Sequence, residues 1–339
     1  MGYVAQAGHF GVKTQTTKGV FASPGAVAPN QGVFIFFRSG ALGGNRELLV
    51  PDPEIGGARD IPDAQLGPIS YSGEIDMYAR MESLSTFLRA ALGANTTTGT
   101  ATTGYSHAIT PADTIPWLSV EEKIGNGYES FKYTDAKVNT FHMEADANGY
   151  LMATAGIIAL KQELVTPTAL GVQRRDSSPL IVGSNICVRW GGVDLPAKSF
   201  SLDINNNLED DDYRLCSASL GDAVEKRREI TMGVTIRPND SALWRTAMWG
   251  GPAAVAPLGQ SYKDDVEIAI TTYEDIPGAT AGVKYSTLIT IPMAIIAPFS
   301  LDPSGDDVLE HDIEIRAVRP NLASPILTAT VKNSYATIA

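Results

Sequence analysis

The chain has 339 residues and a formal net charge of −12, with 44% hydrophobic and 19% charged residues. The surplus of acids excludes a protein that grips a nucleic-acid backbone, because such binding neutralises phosphates with lysine and arginine. Its 32 glycines and 20 prolines favour short strands and turns over long helices, and the length allows two domains with separate cores.

The first half of the chain begins with an arm and continues into strands. Residues 1–30 show no hydrophobic period and are expected to form an extended N-terminal arm. Short strands are predicted at 33–37 and 48–50, and the proline- and glycine-rich stretch 51–68 is predicted to be a long loop. From 69 to 78 apolar and polar residues alternate, which is typical of a strand with one dry and one wet face.

A short amphipathic helix follows that strand. Ser83 is a suitable N-cap, Leu84, Phe87 and Leu88 begin an apolar stripe, and Gly93 supplies the C-terminal stop. After it, residues 95–106 are a low-complexity run of Thr, Gly and Ala, for which we expect an exposed and mobile loop. Further strands are predicted at 117–124, 137–145 and 150–160, the last two joined by a hairpin turn at Asn148-Gly149.

The second half repeats the plan of the first. A stretch rich in Pro, Gly and Arg is assigned as a linker over residues 166–180. A helix with apolar Leu243, Trp244 and Met248 begins after Asp240 or Ser241 and ends at glycine. Strands are predicted at 186–190, 199–204, 229–236, 265–273, 287–297 and 308–318.

The repeated unit, an alternating strand that leads into a short capped helix, predicts a tandem duplication. The fold class is mainly β, of α+β type, with two β-sandwich modules that each carry one helix, at residues 31–165 and 181–320. Residues 321–339 form a C-terminal arm in which 325–331 is able to add as a strand. We expect both arms and the two loops to order against neighbouring chains, because they have little core of their own.

No specific catalytic or metal-binding motif is present, so the sequence predicts neither an enzyme nor a bound cofactor or metal. The chain contains no nucleophile elbow, phosphate-binding loop or zinc-protease motif, and its four histidines stand alone. The acidic run 209–212 lacks the alternating spacing of a calcium-binding loop and is interpreted as a solvated turn. Two cysteines, Cys187 and Cys216, are too few for a disulfide framework and are expected to be small apolar residues in a reducing compartment.

No membrane insertion is expected. The longest apolar stretch, 287–299, is interrupted by two prolines and is too short to cross a bilayer. Residues 1–20 lack the apolar core of a secretory signal.

The order of these features resembles the major tail tube proteins of long, non-contractile-tailed bacteriophages. The resemblance rests on the order of several short segments, from about residue 10 onward. They are Gly11-Val-Lys, the strand and helix from Gly73 to Gly93, His107-Ala-Ile-Thr-Pro, Trp117-Leu-Ser-Val-Glu, Tyr133 to Phe141, Ala197 to Asn206 and Arg228 to Ile236. It implies stacked rings around a channel, in which each subunit lends strands to a continuous inner β-barrel. The duplication is similar to the two-module variety, in which three subunits form a pseudo-sixfold ring.

The resemblance also implies a location and partners. The protein would be made in the host bacterial cytoplasm and built into the virion tail, where it contacts further copies of itself, a tape-measure protein and tail terminator and tip proteins. The family carries no catalytic residues. DNA would pass through the lumen without specific binding, and an acidic lining would repel it and let it slide.

Strands with carboxylates on their wet faces are the candidate lining of such a channel. In 310–314 acids alternate with His311, Ile313 and the following Ile315, which places three carboxylates on one face. The lumen-lining candidates are Glu74, Asp76, Glu267, Glu310, Asp312 and Glu314, while the apolar helix residues are expected to pack on the outer side of the sheet. Two alternatives remain at this point: a phage receptor-binding or decoration β-module, and a hydrolase with paired carboxylates in a cleft.

Overall fold

A computed structural model describes residues 5–23, 31–57, 59–61, 63–125, 129–165, 169–171, 173–301 and 308–338. Strands make up 50% of the chain and helices 8%, which confirms the mainly β prediction. Parts of the predicted N-terminal arm (1–4 and 24–30) and of the linker (166–168 and 172) lie outside the described residues, and the domain boundaries stay a prediction.

The structure has the following elements. Those before the linker are β1 (His9–Thr14), β2 (Val33–Ile35), β3 (Ser39–Gly40), β4 (Gly43–Leu49), β5 (Gln65–Tyr78), α1 (Met81–Leu92), β6 (Gly93–Thr100), β7 (Gly104–Pro111), β8 (Leu118–Ile124), β9 (Glu129–Asp146) and β10 (Met152–Leu164). Those that follow are β11 (Arg174–Arg175), β12 (Ile186–Trp190), β13 (Val193–Asp194), β14 (Ala197–Asn205), β15 (Glu229–Ile236), α2 (Ala242–Trp249), β16 (Asp264–Asp275), β17 (Lys284–Ile296), β18 (His311–Ala317) and β19 (Thr328–Asn333).

The strands of the two halves pair in the same order. In the first half the antiparallel partners run β2, β1, β8, β9, β10, β5, β4. In the second half they run β13, β12, β16, β17, β18, β15, β14. In each half a helix follows the corresponding strand, α1 after β5 and α2 after β15. The first half differs by the additional hairpin β6–β7, which follows α1 directly.

Fourteen of the 19 strands in the described residues form two layers that are continuous from one half to the other, and β8, β1 and β2 extend from β9 as a branch. Layer A runs β4, β5, β10, β9, β14, β15, β18, and the halves meet where β9 pairs with β14. Layer B runs β13, β12, β16, β17, β19, β7, β6, and the C-terminal strand β19 joins the halves by pairing with both β17 and β7. The two layers therefore enclose a shared core, which extends across both halves.

Helix α1 lies inside this core. It contacts β9 of layer A and β7, β17 and β19 on its other side, and Phe87 stacks on Phe141 of β9 with ring centroids 6.3 Å apart. Leu84, Phe87 and Leu88 are fully buried, as the apolar stripe predicts. Helix α2 is peripheral, because Leu243 and Trp244 are only half-buried and Met248 is exposed.

The N-terminus of α1 differs from the prediction. The helix begins at Met81 behind Arg80, so Ser83 lies one turn inside rather than at the N-cap. The first backbone N–H groups are instead bound by the linker, where Asp176 Oδ2 accepts from Glu82 N and Ser83 N at 2.9 Å each. The acceptor that the helix needs thus comes from a residue far away in sequence.

Four local expectations are wrong. The two arms were expected to have little core of their own, but residues 9–14 form strand β1, whose Phe10 and Val12 are fully buried, and residues 328–333 form β19, which pairs with β17 and β7. Residues 95–106 form most of hairpin β6–β7 rather than a loop, because β7 is held by β19. Strand β5 begins at Gln65, which shortens the predicted loop 51–68. Cys187 and Cys216 are exposed rather than buried.

Candidate functional site: the acidic face of layer A

The outward face of layer A carries most of the carboxylates singled out in the sequence. Along β18 the exposed Asp312 and Glu314 alternate with the buried His311, Ile313 and Ile315. On β5 Glu74 is exposed and Asp76 half-buried between the buried Ile75 and Met77. Alternation thus assigns both strands' acids to the wet side of one sheet. We call this surface the acidic face.

Strand register aligns the acidic face into rows that cross the junction of the two halves. One row follows the pairs Asp76–Thr154, Thr154–His142, His142–Asp203, Asp203–Thr231 and Thr231–Arg316. Because side chains directly opposite each other on neighbouring strands lie on the same face, the whole row projects from one side of the sheet. The predicted acids of β5 and β18, far apart in sequence, therefore share a single surface.

Asp76 is fixed in its ionised form by two hydroxyls. Ser39 Oγ donates to Asp76 Oδ2 at 2.7 Å, and Thr154 Oγ1 donates to Asp76 Oδ1 at 2.8 Å. These hydrogen bonds, first that of Ser39 and then that of Thr154, hold the pKa of Asp76 below its ordinary value. The negative charge at this position is therefore maintained across the neutral and mildly acidic range.

A histidine lies where the two halves meet on the acidic face. His142 Nδ1 is 2.6 Å from Asp203 Oδ1, and His142 Nε2 is 3.5 Å from Glu144 Oε2. Partial burial disfavours the imidazolium, but the hydrogen bond and charge of Asp203, followed by those of Glu144, outweigh it and raise the pKa of His142. The group adds positive charge to the face as the pH falls.

The acids of the second half are partly paired. Glu310 Oε1 lies 2.6 Å from Lys198 Nζ and 3.0 Å from Arg237 Nε, and these two hydrogen bonds lower the pKa of Glu310. Glu314 pairs with Arg316, and Asp312 accepts a hydrogen bond from Thr235 at 2.7 Å. These exposed pairs contribute little stability, but they fix the direction of the side chains.

One predicted residue lies elsewhere, and several acids of the face were missed. Glu267 belongs to β16 of layer B and lies 3.6 Å from Arg189 of β12. The acidic face carries further carboxylates, on β9, β14 and β15, that the sequence analysis did not single out: Glu144, Asp146, Asp203 and Glu229. These acids alternate with buried apolar residues in the same way; Glu144, for instance, lies between the buried Met143 and Ala145. The alternation that predicts the other acids would therefore have predicted these.

The two sides of layer A differ in what they contact. The inner side is closed by α1 and layer B. The acidic face is open and forms a shallow concavity of about 640 Å³, bordered by Glu144, Asp146, Ser201, Asp312 and Glu314 and, at one end, by Tyr78 and Tyr150. Carboxylates outnumber lysine and arginine across it, so the surface repels polyanions.

The described residues include neither a metal-binding cluster nor a membrane-spanning helix. Within them no group of three or more His, Cys, Asp or Glu side chains has the geometry to hold a metal ion. None of the helices in the described ranges has the length and apolar character needed to cross a membrane. The acid with the most strongly raised pKa, Glu82 at about 8 owing to burial, lies in the interior, in the first turn of α1 and against Arg174, not on an open cleft.

Comparison with known proteins identifies a family. A family model described as phage tail tube protein matches residues 5–315, which is nearly the whole chain. No curated protein matches the chain.

Proposed function

This chain belongs to the phage tail tube protein family, and from that premise we propose that three copies close into each ring of the tube, with the acidic face lining the bore. Family membership makes it a structural component of the virion tail, which assembles with itself and with other tail proteins. The family match favours this role over a receptor-binding or decoration module and supports a structural rather than a catalytic task.

The shared pairing order supports the two-module assignment. Both halves use seven strands in the same antiparallel sequence of partners, and both place a helix after the corresponding strand. Two unrelated domains have no reason to share this order, whereas a duplicated module retains it. Residues 31–165, together with β1 of the predicted arm 1–30, and residues 181–320 are therefore proposed as successive copies of one tube module, joined by the linker 166–180. Strand β19 of the predicted arm 321–339 completes layer B.

The junction inside the chain supports a way for the ring to close, and this observation carries the proposal. Strand β14, the last strand in the pairing order of the second half, pairs with β9 of the first half. Its counterpart β4 pairs only with β5 among the described strands, so its other edge is open. At the opposite end of layer A the counterpart of β9 is β17, whose residues 294–296 pair with 315–317 of β18. We place the β4 edge of one chain against β17 of the next, as β14 lies against β9 within the chain.

Repetition of that junction would make a closed barrel of six modules from three chains. Closure removes both exposed sheet edges, which otherwise template aggregation. The concave, uncovered acidic face would then line the bore, because α1 and layer B occupy the other side of layer A. Glu74, Asp76, Glu310, Asp312 and Glu314 stay as proposed lining residues, whereas Glu267 on layer B needs a separate location.

An acidic lining favours the passage of DNA over the binding of DNA. Binding of DNA requires cations against its phosphates, and the acidic face instead presents carboxylates across both halves. DNA and a tape-measure protein would pass along it without specific contacts, and terminator and tip proteins would bind the ends of the tube.

Native mass spectrometry and averaged end views of assembled tubes test the proposal. We expect hollow tubes whose rings contain three chains and show six similar densities. Six chains in each ring would overturn the two-module proposal and leave the tube intact. A protein that stays monomeric at high concentration, and binds only to the outside of capsids or tails, would overturn the tube role itself.

A further inference from the structure

A cleft rich in cations opens at one end of the acidic face. It has a volume of about 630 Å³ and lies where β15 begins and β18 ends, against the end of β7. Three acids line it, but the cations that line it are more numerous, in a chain whose net charge is −12. We call this surface the basic cleft, and its cations are Lys226, Arg227, Arg228, Arg316 and Arg319.

The basic cleft is continuous with the acidic face. Asp312 lies opposite Thr235 and Arg316 lies opposite Thr231, on the same side of the β15–β18 pair. Along β15, the step from Thr235 to Thr231 is about 13 Å at roughly 3.3 Å per residue. Over that short distance the charge on this side of layer A changes from negative to positive.

Two of the cations are bound by groups of the protein itself. Arg228 is half-buried, its Nε donates to Asn206 Oδ1 at 2.8 Å, and its Nη2 donates to Ala112 O at 3.0 Å. Arg319 Nη2 donates to Leu322 O at 2.6 Å. These hydrogen bonds hold both guanidinium groups in place.

The other three cations are available to a ligand. Lys226, Arg227 and Arg316 are exposed, and within the described ranges neither Lys226 nor Arg227 has a hydrogen-bond or ion-pair partner for its side chain. Arg316 Nε lies 2.7 Å from Glu314 Oε1, an exposed pair that contributes little stability and can exchange for another anion.

The acids of the cleft do not cancel these cations. Glu225 Oε1 lies 2.8 Å from Lys137 Nζ and accepts from Ile115 N at 3.0 Å, so its charge is balanced by a lysine that does not line the cleft. The remaining acids, Asp113 and Glu229, are exposed. The cleft therefore keeps an excess of positive charge, supplied mostly by arginine, whose planar fork binds paired oxygens of an anion.

We propose that the basic cleft contacts the phosphates of DNA in the bore. The inference rests on the proposed function, which places this side of layer A along the path of the DNA. Arginine binds phosphates and carboxylates alike, but DNA is the dense polyanion on that path. Three exposed cations neutralise about two or three phosphates, so the contact is weak, independent of base sequence and readily released.

The basic cleft gives each ring a band of positive charge beside its acidic band. The acidic face repels the DNA, whereas the basic cleft attracts it at one end of each subunit. The moving DNA therefore meets a weak attraction once in every ring. This attraction resists movement, and salt weakens it.

NMR of arginine side chains in the unassembled chain tests the contact directly. The probe is a DNA duplex of about 12 base pairs, whose affinity should fall by about 60- to 500-fold between about 20 and 200 mM salt if two or three phosphates are neutralised. The Nε–H signals of Arg227 and Arg316 should shift on addition of the duplex, whereas those of Arg175 and Arg189, outside the cleft, should not. Unshifted signals in the cleft, or equal binding of a poly-glutamate peptide of the same charge, would overturn the proposal.

Variants without the exposed cations test the contact in tails. The first set is Lys226→Gln, Arg227→Gln and Arg316→Gln. The matched control removes the same charge at exposed positions outside the cleft, by Lys161→Gln, Arg175→Gln and Lys263→Gln. Because all six positions are exposed, melting temperatures should stay unchanged. Tails with the first set should release DNA several-fold faster than wild type at low salt and at the same rate at high salt, and the control should match wild type at both.

The outcomes separate this contact from the proposed function. If both sets form tubes and release DNA alike, the contact with DNA is wrong. If the first set alone forms no tubes, the cleft binds another copy of the chain rather than DNA, which also overturns the proposal. If the wild-type chain forms no tubes, the proposed function fails, and the NMR titration still decides whether the cleft binds phosphates.

Discussion

His142 of β9 and Asp203 of β14 lie directly opposite each other across the strand pair that joins the two halves, with Nδ1 and Oδ1 2.6 Å apart. Their contact adds a charged pair to the strand pairing of β9 with β14. It also lies at the centre of the acidic face, so the same pair contributes to the seam between modules and to the charge of the surface that they share.

The stability that this pair contributes depends on pH. Since the pKa of His142 is raised above its ordinary 6.5, the contribution is fully present below pH 6.5 and is lost as the pH rises through the folded-state value. The pair is partly solvated, so a double-mutant cycle of His142→Gln and Asp203→Asn should give about 0.2–1 kcal/mol at pH 5.5. Urea unfolding at pH 5.5 and 8.5 measures it, and an equal coupling at both values would contradict the assignment.

Asp176 should be important for stability although it lies in the linker. It is buried, and its Oδ2 satisfies two N–H groups at the start of α1 while Oδ1 accepts from Ser178. Asp176→Ala should cost about 2 kcal/mol, because it removes a helix cap and leaves buried donors unpaired. Asp176→Asn keeps one acceptor and should cost less. Chemical denaturation measures both, and equal costs would contradict a capping role.

The sequence predicts local structure better than it predicts contacts between residues that are far apart in the chain. Alternation located β5, β15 and β18, and glycine located the end of α1, because these signals act within a few residues. The cap at Asp176 lies 94 residues from Glu82 and has no local signature. Hairpin β6–β7 was missed because its Thr-rich strands lack apolar alternation, and pairing with β19 stabilises it. Alternation also assigned Glu267 to a wet face, but a period of two cannot tell which layer that face belongs to.

The two helices should respond differently to truncation. Phe87 is fully buried and stacks on Phe141, so Phe87→Ala should lower the free energy of unfolding by about 3–5 kcal/mol. Leu243 of α2 is half-buried, and Leu243→Ala should cost about 1 kcal/mol because less area is removed from the core. Unfolding curves of the unassembled chains provide the comparison, and a larger loss for Leu243→Ala would contradict the peripheral location of α2.

His107 should weaken the fold in acid. It is fully buried, with Nδ1 2.9 Å from Thr97 Oγ1 and Nε2 3.1 Å from Asn333 Oδ1, and burial is the main cause that lowers its pKa below 6.5. Below pH 6.5 His107 binds a proton in the unfolded chain but not in the folded chain. The free energy of unfolding therefore falls by at most about 1.4 kcal/mol per pH unit. His107→Gln should show a flatter loss between pH 7 and pH 5. Identical pH profiles for the two chains would contradict this prediction.

Reversing charge on the acidic face should slow DNA without preventing assembly. Glu74, Asp312 and Glu314 are exposed, and none of them is part of the buried core or lies on β4 or β17, the strands of the proposed contact between chains of a ring. With all three changed to Lys, tails should form normally but release DNA more slowly, because cations in the bore attract phosphates. The delay should be greatest at low ionic strength, where the Debye length is long.

A matched variant separates this effect from net charge. Glu274→Lys, Asp210→Lys and Asp211→Lys change the charge by the same amount at exposed positions off the acidic face, Glu274 being on β16 of layer B. Single-particle ejection assays at about 10 mM and 200 mM salt compare the two sets, a range over which screening changes several-fold. Unimpaired release from the first set, or equal slowing by the second, would show that these acids do not line the path of the DNA.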